Sequence, residues 1–173
     1  MGSNGDLSIW EFSGDENYHM LYDHFIGNVN CIHVILFKMD QEKSTQIAQL
    51  QYWLNFLRSR IPPIEPLSDK GKSKKPAKVL LVASHADLAK PPCTKNVVGE
   101  MLSPAVDSVL SDILDQFGNI FDIHPRVFVM DVNNSGSVDL KAFKQAIGEI
   151  KTEIIEVIRL GEVQRASQVR RKD

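Results

Sequence analysis

Apolar and polar positions alternate in blocks along the chain, and the blocks change period. Leu7-Ser8-Ile9-Trp10-Glu11-Phe12 alternates with a period of two and predicts a strand, which Ser13-Gly14-Asp15 breaks. Tyr18, Leu21, Tyr22 and Phe25 suit a short helix over 16–25, and Gly27 to Asn30 reads as a turn. Cys31 to Phe37 is nearly all apolar, so it predicts a strand buried on both faces. From Ser44, the apolar positions Ile47, Leu50, Leu54, Leu57 and Ile61 recur at helical spacing until Pro62-Pro63 stops them. Residues 62–76 hold four prolines and several lysines and read as a loop. Lys78 to Ala83 is a second buried strand. Ser103-Pro104 opens a helix whose stripe is Val106, Val109, Leu110, Ile113, Leu114 and Phe117, ended by Gly118. Arg126 to Met130 is the last strand. Ser137 or Asp139 starts a long final helix with Leu140, Phe143, Ile147, Ile150, Ile154 and Val157 on one side. Its far end, from Arg159, is charged and is expected to project or fray. Strands alternating with helices predict an α/β fold, a mostly parallel sheet flanked by helices.

Composition narrows the function classes. The 173 residues, 43% hydrophobic, suit one domain with a real core. A formal net charge of −2 gives no strong field for nucleic acid or an anionic membrane. No apolar run approaches a membrane span, and no signal-peptide pattern opens the chain. The two cysteines, Cys31 and Cys93, form neither a disulfide framework nor a metal spacing, so reduced thiols and a cytoplasmic location are expected. Residues 1–6 are polar and read as a flexible start or tag remnant, 7–158 as the domain, and 159–173 as a charged extension or tail.

Two short patterns carry chemistry. In Ser84-His85-Ala86-Asp87 the carboxylate follows a buried strand, at the end where open α/β sheets bind ligands. An Asp there accepts hydrogen bonds from two adjacent N–H groups of guanine, which adenine does not offer. Read without that ligand, it is a polar strand end whose Asp caps a turn. In Trp10-Glu11-Phe12-Ser13-Gly14, Glu11 is placed to hold a magnesium-bound water, and Gly14 to offer its N–H to a terminal phosphate. The plainer reading is a strand ending in a glycine turn. Three other patterns read as decoys. Asp131 to Asp139 starts like a calcium loop, but Ala142 stands where the bidentate Glu belongs. His19, His24, Cys31 and His33 lack zinc spacing. The Lys70–Lys75 run and the Arg170-Arg171-Lys172 tail lack the interleaved aromatics of a nucleic-acid surface.

With these residues the chain resembles a Ras-type GTPase domain, specifically the Roc domain of the Roco proteins. Trp-Glu-Phe-Ser-Gly at 10–14, Tyr22-Asp23-His24-Phe25, Trp53-Leu54 and Ser-His-Ala-Asp at 84–87 look most similar to the death-associated protein kinase branch. The resemblance covers about residues 7–158. It implies a Ras-like P-loop NTPase fold that binds GTP or GDP with magnesium and acts as a switch beside other domains of a signalling kinase. Asp87 matches the base-reading carboxylate, and His85 the residue lying against base or ribose. Ser84 stands for the family's Thr or Asn. Glu11 replaces the metal-linked Asp, and Gly14 matches the phosphate-contacting glycine. Asn133, in Asp131-Val132-Asn133-Asn134, falls at the loose fifth motif, with a backbone contact to the base. Asp15 stands where such enzymes orient water with Gln, so slow hydrolysis is implied.

The phosphate loop itself has no counterpart. Gly71-Lys72-Ser73 is the one Gly-Lys-Ser present, but Pro66 occupies the first glycine position and no strand precedes it. The expectation is a G domain truncated at its N-terminus, with one sheet edge open and no turnover. The rival expectation is a non-catalytic module that docks protein partners or forms a homodimer through that edge or the charged final helix. A calcium sensor is the third.

Overall fold

The computed structural model describes residues 7–22, 26, 30–61, 76–131, 133–134 and 136–169. The predicted loop at 62–76 falls, but for Pro76, outside the described residues, as does Gly71-Lys72-Ser73. A single 3-10 turn (Glu16–Tyr18) leads into α1 (His19–Tyr22), followed by β1 (Ile32–Lys38), α2 (Lys43–Arg60) and β2 (Lys78–Ser84). After these come β3 (Thr94–Lys95), β4 (Met101–Leu102), α3 (Pro104–Phe117), β5 (Asp122–Ile123), β6 (Phe128–Val129) and α4 (Val138–Val169). The architecture is the expected one, a parallel sheet flanked by helices.

β2 is the centre of the sheet. It pairs in parallel with β1 from Ile32 opposite Lys78 to Lys38 opposite Ser84. On its other side it pairs with β5 at Lys78 and Val79, and with β6 at Val82 and Ala83. The predicted last strand, Arg126 to Met130, is thus reduced to Phe128–Val129, and a further short strand, Asp122–Ile123, that the pattern did not predict precedes it along the same side of β2. Val79 to Ala83 are all buried, as an apolar run covered by helices on both faces must be. Val79, Leu81 and Ala83 meet α2 and α3 through Leu50, Leu54, Val109 and Ile113. Leu80, Val82 and Phe128 meet Ala146, Phe143 and Ile150 of α4.

Two expectations are corrected. Residues 7–12 form no strand; Leu7 is 50% and Ile9 86% exposed. Alternation supplies strand propensity, but a strand needs a neighbour to satisfy its backbone, and none of the sheet's strands lies beside this segment. β1 is not buried on both faces either. Ile35 and Phe37 are buried in the core shared with α2, whereas Val34 is 37% and Leu36 60% exposed, because the cluster that α4 makes with Leu80, Val82 and Phe128 reaches β1 only at Ile32.

Polar contacts fix the helices. Lys43 of α2 pairs with Asp112 of α3 at 2.8 Å, and Gln51 donates to Gln116 at 2.7 Å. Ser137 Oγ accepts the Leu140 N–H at 3.2 Å, so Ser137 rather than Asp139 caps α4. Lys78 binds Asp122 and Glu153 together. Burial opposes the Lys78 charge, yet those two carboxylates outweigh it and raise the ammonium's pKa. Gly118 ends α3 in the right-handed region, φ −64°, and a Cβ there would stand 2.6 Å from the Leu114 carbonyl oxygen. α4 has 32 residues, about 48 Å at the helical rise, so it outruns strands of about 23 Å. Val157, Ile158 and Leu160 are accordingly exposed.

His33 lies on the buried side of β1, and its Nε2 has no hydrogen-bond partner among the described residues. Burial lowers its pKa from 6.5 to about 4. The unfolded chain therefore binds a proton that the folded chain refuses between those values. Stability from this group is intact above pH 6.5 and declines as pH falls toward 4, by up to about 3 kcal/mol. Urea unfolding at pH 7, 5.5 and 4 should show this loss, and His33→Phe should flatten it. An equally steep loss in the variant would contradict the assignment.

Candidate functional site

The sheet's carboxyl rim is built by β2. Its last residue, Ser84, donates its hydroxyl proton to the Phe37 carbonyl across the sheet at 3.1 Å. The Ser84 oxygen lies 3.0 Å from His85 Nδ1. With the hydroxyl proton committed to Phe37, His85 Nδ1–H is the donor there, which leaves Nε2 as an acceptor. His85 itself is left-handed, φ 60° and ψ 42°. A non-glycine residue held there costs on the order of 1 kcal/mol and needs surrounding structure to impose it. That structure is a pair of backbone bonds: Met130 N–H to Ala83 C=O at 2.8 Å, and Ala86 N–H to Met130 C=O at 3.2 Å.

The chain then makes one 3-10 turn, Ala86–Leu88. Ala86 is buried and Asp87 exposed, and no described group donates a hydrogen bond to the Asp87 carboxylate. Across the rim, Asp131 Oδ1 accepts the Asn133 N–H at 2.8 Å, and Asp131 C=O accepts the Asn134 N–H at 3.0 Å. Asn133 is exposed on this turn. Ser84, His85, Asp87 and Asn133 thus come from two turns that share backbone bonds through Met130. The result is a free carboxylate and an imidazole acceptor beside an Asx turn.

Glu11 and Gly14 are not brought to this rim. Gly14, with φ +79°, is packed against Trp53; a Cβ on it would lie 3.4 Å from Trp53 Cζ2. Trp53 is ten residues beyond Lys43, so Gly14 sits about 15 Å along α2 from its rim end. Phe12 meets Tyr22 at a tilt, with ring centroids 4.5 Å apart, and Ser13 Oγ meets Tyr22 Oη at 3.2 Å. Asp15 is spent on the local turn, accepting from Asn17 N–H at 3.0 Å. Glu11 is a lone exposed carboxylate. Among the described residues no three His, Cys, Asp or Glu side chains converge on one point. Neither a magnesium shell nor a phosphate cradle is assembled by these residues, whereas Ser84, His85, Asp87 and Asn133 are brought to one rim.

Sequence reasoning missed a charged cluster on the flank of the site. Arg126 holds Glu100 at 2.6 Å and also binds Asp139, which is 1% exposed. Asp139 Oδ2 accepts the Met101 N–H at 2.9 Å. Asn96 and Arg126 hold the Glu100 carboxyl below its usual range. The residue weighed as a calcium ligand is therefore the anchor between α4 and the β3–β4 hairpin. An acid in the first turn of α4 was visible; its partner Arg126 was not, because only the fold brings them together.

A comparison with curated proteins now bears on the reading. The chain is 35% identical over 151 residues to the death-associated protein kinase dapk-1 of Caenorhabditis elegans. That match takes in 87% of this chain and 10% of that protein, so the chain spans about a tenth of its relative's length. No family model matches the chain, and no solved structure matches it. No helix among the described residues is long and apolar enough to cross a membrane.

Two variants test the site's scaffolding. Both His85→Gly and His85→Ala lose the ring, and only Ala keeps the left-handed strain. His85→Gly should be the more stable by about 1 kcal/mol in urea unfolding, and the reverse order would contradict an imposed left-handed residue. Asp139→Ala leaves the Met101 N–H and part of Arg126 unpaired and should cost roughly 2–3 kcal/mol. A loss below about 0.5 kcal/mol, the level of an ordinary surface change, would contradict the anchor.

Proposed function

We propose that this chain is a Roc-type, guanine-nucleotide-binding regulatory segment of a larger signalling protein kinase. The observation that carries the reading is the rim: a free Asp87 carboxylate beside a left-handed His85, tied through Met130 to the turn of Asn133. The chemistry is recognition of the guanine edge. Asp87 accepts from the ring N–H and the exocyclic amine, His85 lies against base or ribose, and the Asn133 turn offers a backbone contact. Similarity to a death-associated protein kinase supports the signalling context. In the complete nucleotide site of this family, magnesium and a phosphate loop hold the nucleotide's charge. Glu11 and Gly14 lie away from the rim here, so binding by this chain rests on the base, and hydrolysis is not expected.

A second reading is a pseudo-GTPase module that engages protein partners, including a second copy. The position of Gly14 against Trp53 and the side of β1 left unpaired among the described residues favour it.

Calorimetric titration separates the two. In the first reading GDP binds at least about 10-fold more tightly than ADP, and Asp87→Ala removes the preference, since hydrogen bonds to a charged acceptor contribute roughly 1.5–3 kcal/mol. Equal affinity for the two nucleotides, or no heat with millimolar GDP from a folded chain, supports the module instead.

A further inference from the structure

We propose that a cavity beside the start of α3 binds a small aliphatic α-amino acid in its zwitterionic form. Ser84, His85, Asp87 and Asn133 are not among its walls, so the inference is independent of nucleotide binding at the rim.

The cavity lies between the first two turns of α3, β4 and the segment that runs into β6. It holds about 210 Å³. That is less than the roughly 300–1,000 Å³ of a site for a drug-sized molecule, so it suits a smaller ligand. Its α3 wall is Ser103, Val106, Asp107 and Leu110, the spacing of one helical face. The segment into β6 adds Arg126, Val127 and Val129.

Ser103 is the residue that points to a ligand. It stands just before α3 and is only 7% exposed, yet its hydroxyl makes no hydrogen bond among the described residues and does not cap the helix. A buried hydroxyl normally finds a partner. Among the described residues, the inaccessible side-chain polar atoms left without one are His19 Nε2 and His33 Nε2. Ser103 Oγ is therefore not sealed off, and the space it lines is the cavity. The start of α3 holds further unused donors. Pro104 has no N–H, and the Ser103 carbonyl accepts the Asp107 N–H at 3.1 Å. Between them, the Ala105 and Val106 N–H groups have no acceptor among the described residues and point back toward Ser103. Two N–H groups and a hydroxyl at the positive end of a helix dipole match a carboxylate.

Charge narrows the ligand. Arg126 reaches the cavity but already holds Glu100 and Asp139, so that cluster is negative in sum. Asp107 adds a third carboxylate, exposed and paired with no described group. A phosphate or a dicarboxylate would meet this excess of negative charge, and a bare amine would meet the N–H groups of the helix start. A molecule with both charges on one carbon satisfies both ends. Asp107 lies one turn past Ser103, about 6 Å along the axis. A carboxylate bonded at Ser103 and an ammonium bonded at Asp107, each at about 2.8 Å, bridge that interval. The ligand's side chain then covers Val106, Leu110, Val127 and Val129, which favours an aliphatic one.

Titrating the isotopically labelled full chain with leucine, followed through amide chemical shifts, tests the proposal. Saturable shifts at millimolar leucine are expected in Glu100–Leu110 and Arg126–Val129, with His85–Leu88 unchanged. N-acetyl-leucine lacks the ammonium and leucinamide lacks the carboxylate. Each should bind at least about 10-fold more weakly, as should leucine to Asp107→Asn or Ser103→Ala. Both variants should keep the urea midpoint of the parent chain, because neither side chain has a partner to lose. No saturable shift from a folded chain overturns the proposal. So does N-acetyl-leucine binding as tightly as leucine, which would mark a site for a peptide's carboxyl terminus. Leucinamide binding as tightly, or an Asp107→Asn variant with the parent's affinity, overturns it equally.

Discussion

The parallel ladder between β1 and β2 is the constraint on which the rest of the structure depends. Its seven-residue register sets the rim, because Lys38 and Ser84 end level with one another and Ser84 can reach the Phe37 carbonyl. The register is held by burial. Five consecutive residues of β2 are inaccessible, and a slip by one residue would exchange the side chains facing α2 and α3 with those facing α4. Each Val or Leu buried there contributes roughly 1.5–3 kcal/mol, so a slip has no compensating gain. The rim turn inherits this rigidity. Ala83 and Met130 are joined by a backbone bond, and His85 is forced into a conformation it would not otherwise adopt.

Charge fixes what burial leaves adjustable. Lys78 with Asp122 and Glu153 closes the amino end of the sheet. Arg126 with Glu100 and Asp139 closes its far edge. Both clusters join segments distant in sequence, and both leave their carboxylates occupied. The carboxylate of Asp87 is different, since no described group engages it. Acids engaged in structural pairs and an acid left unengaged by the described groups are thereby distinguished within one small domain.

Much of this was legible beforehand. The buried run of β2 and the helical stripes of α2 and α3 follow from spacing alone, and each is found where the pattern puts it, while of the two starts the pattern allowed for α4 the structure takes Ser137. The turn at Ser84 to Asp87 was legible because a buried strand must end before a polar tetrapeptide. Other features were hidden. The exposed side of β1 depends on which helix reaches it, and Ile32 to Phe37 reads alike whether one face or both are covered. Residues 7–12 have strand propensity without a strand partner, a tertiary matter that alternation does not encode. A rim position for Glu11 and Gly14 depends on that strand, and without it they lie beside α2 instead. The Arg126 cluster joins residues 13 and 26 positions away, which no local pattern connects.

The proposed function requires that the rim at the end of β2 read the base without a phosphate cradle. Titrating the isotopically labelled chain with guanosine, a ligand with a base and ribose but no phosphate, measures this directly through amide chemical shifts. The account predicts saturable shifts confined to His85–Leu88 and Met130–Asn134, absent with adenosine. Shifts centred on Glu11–Gly14, or a rim indifferent to guanosine, would contradict it.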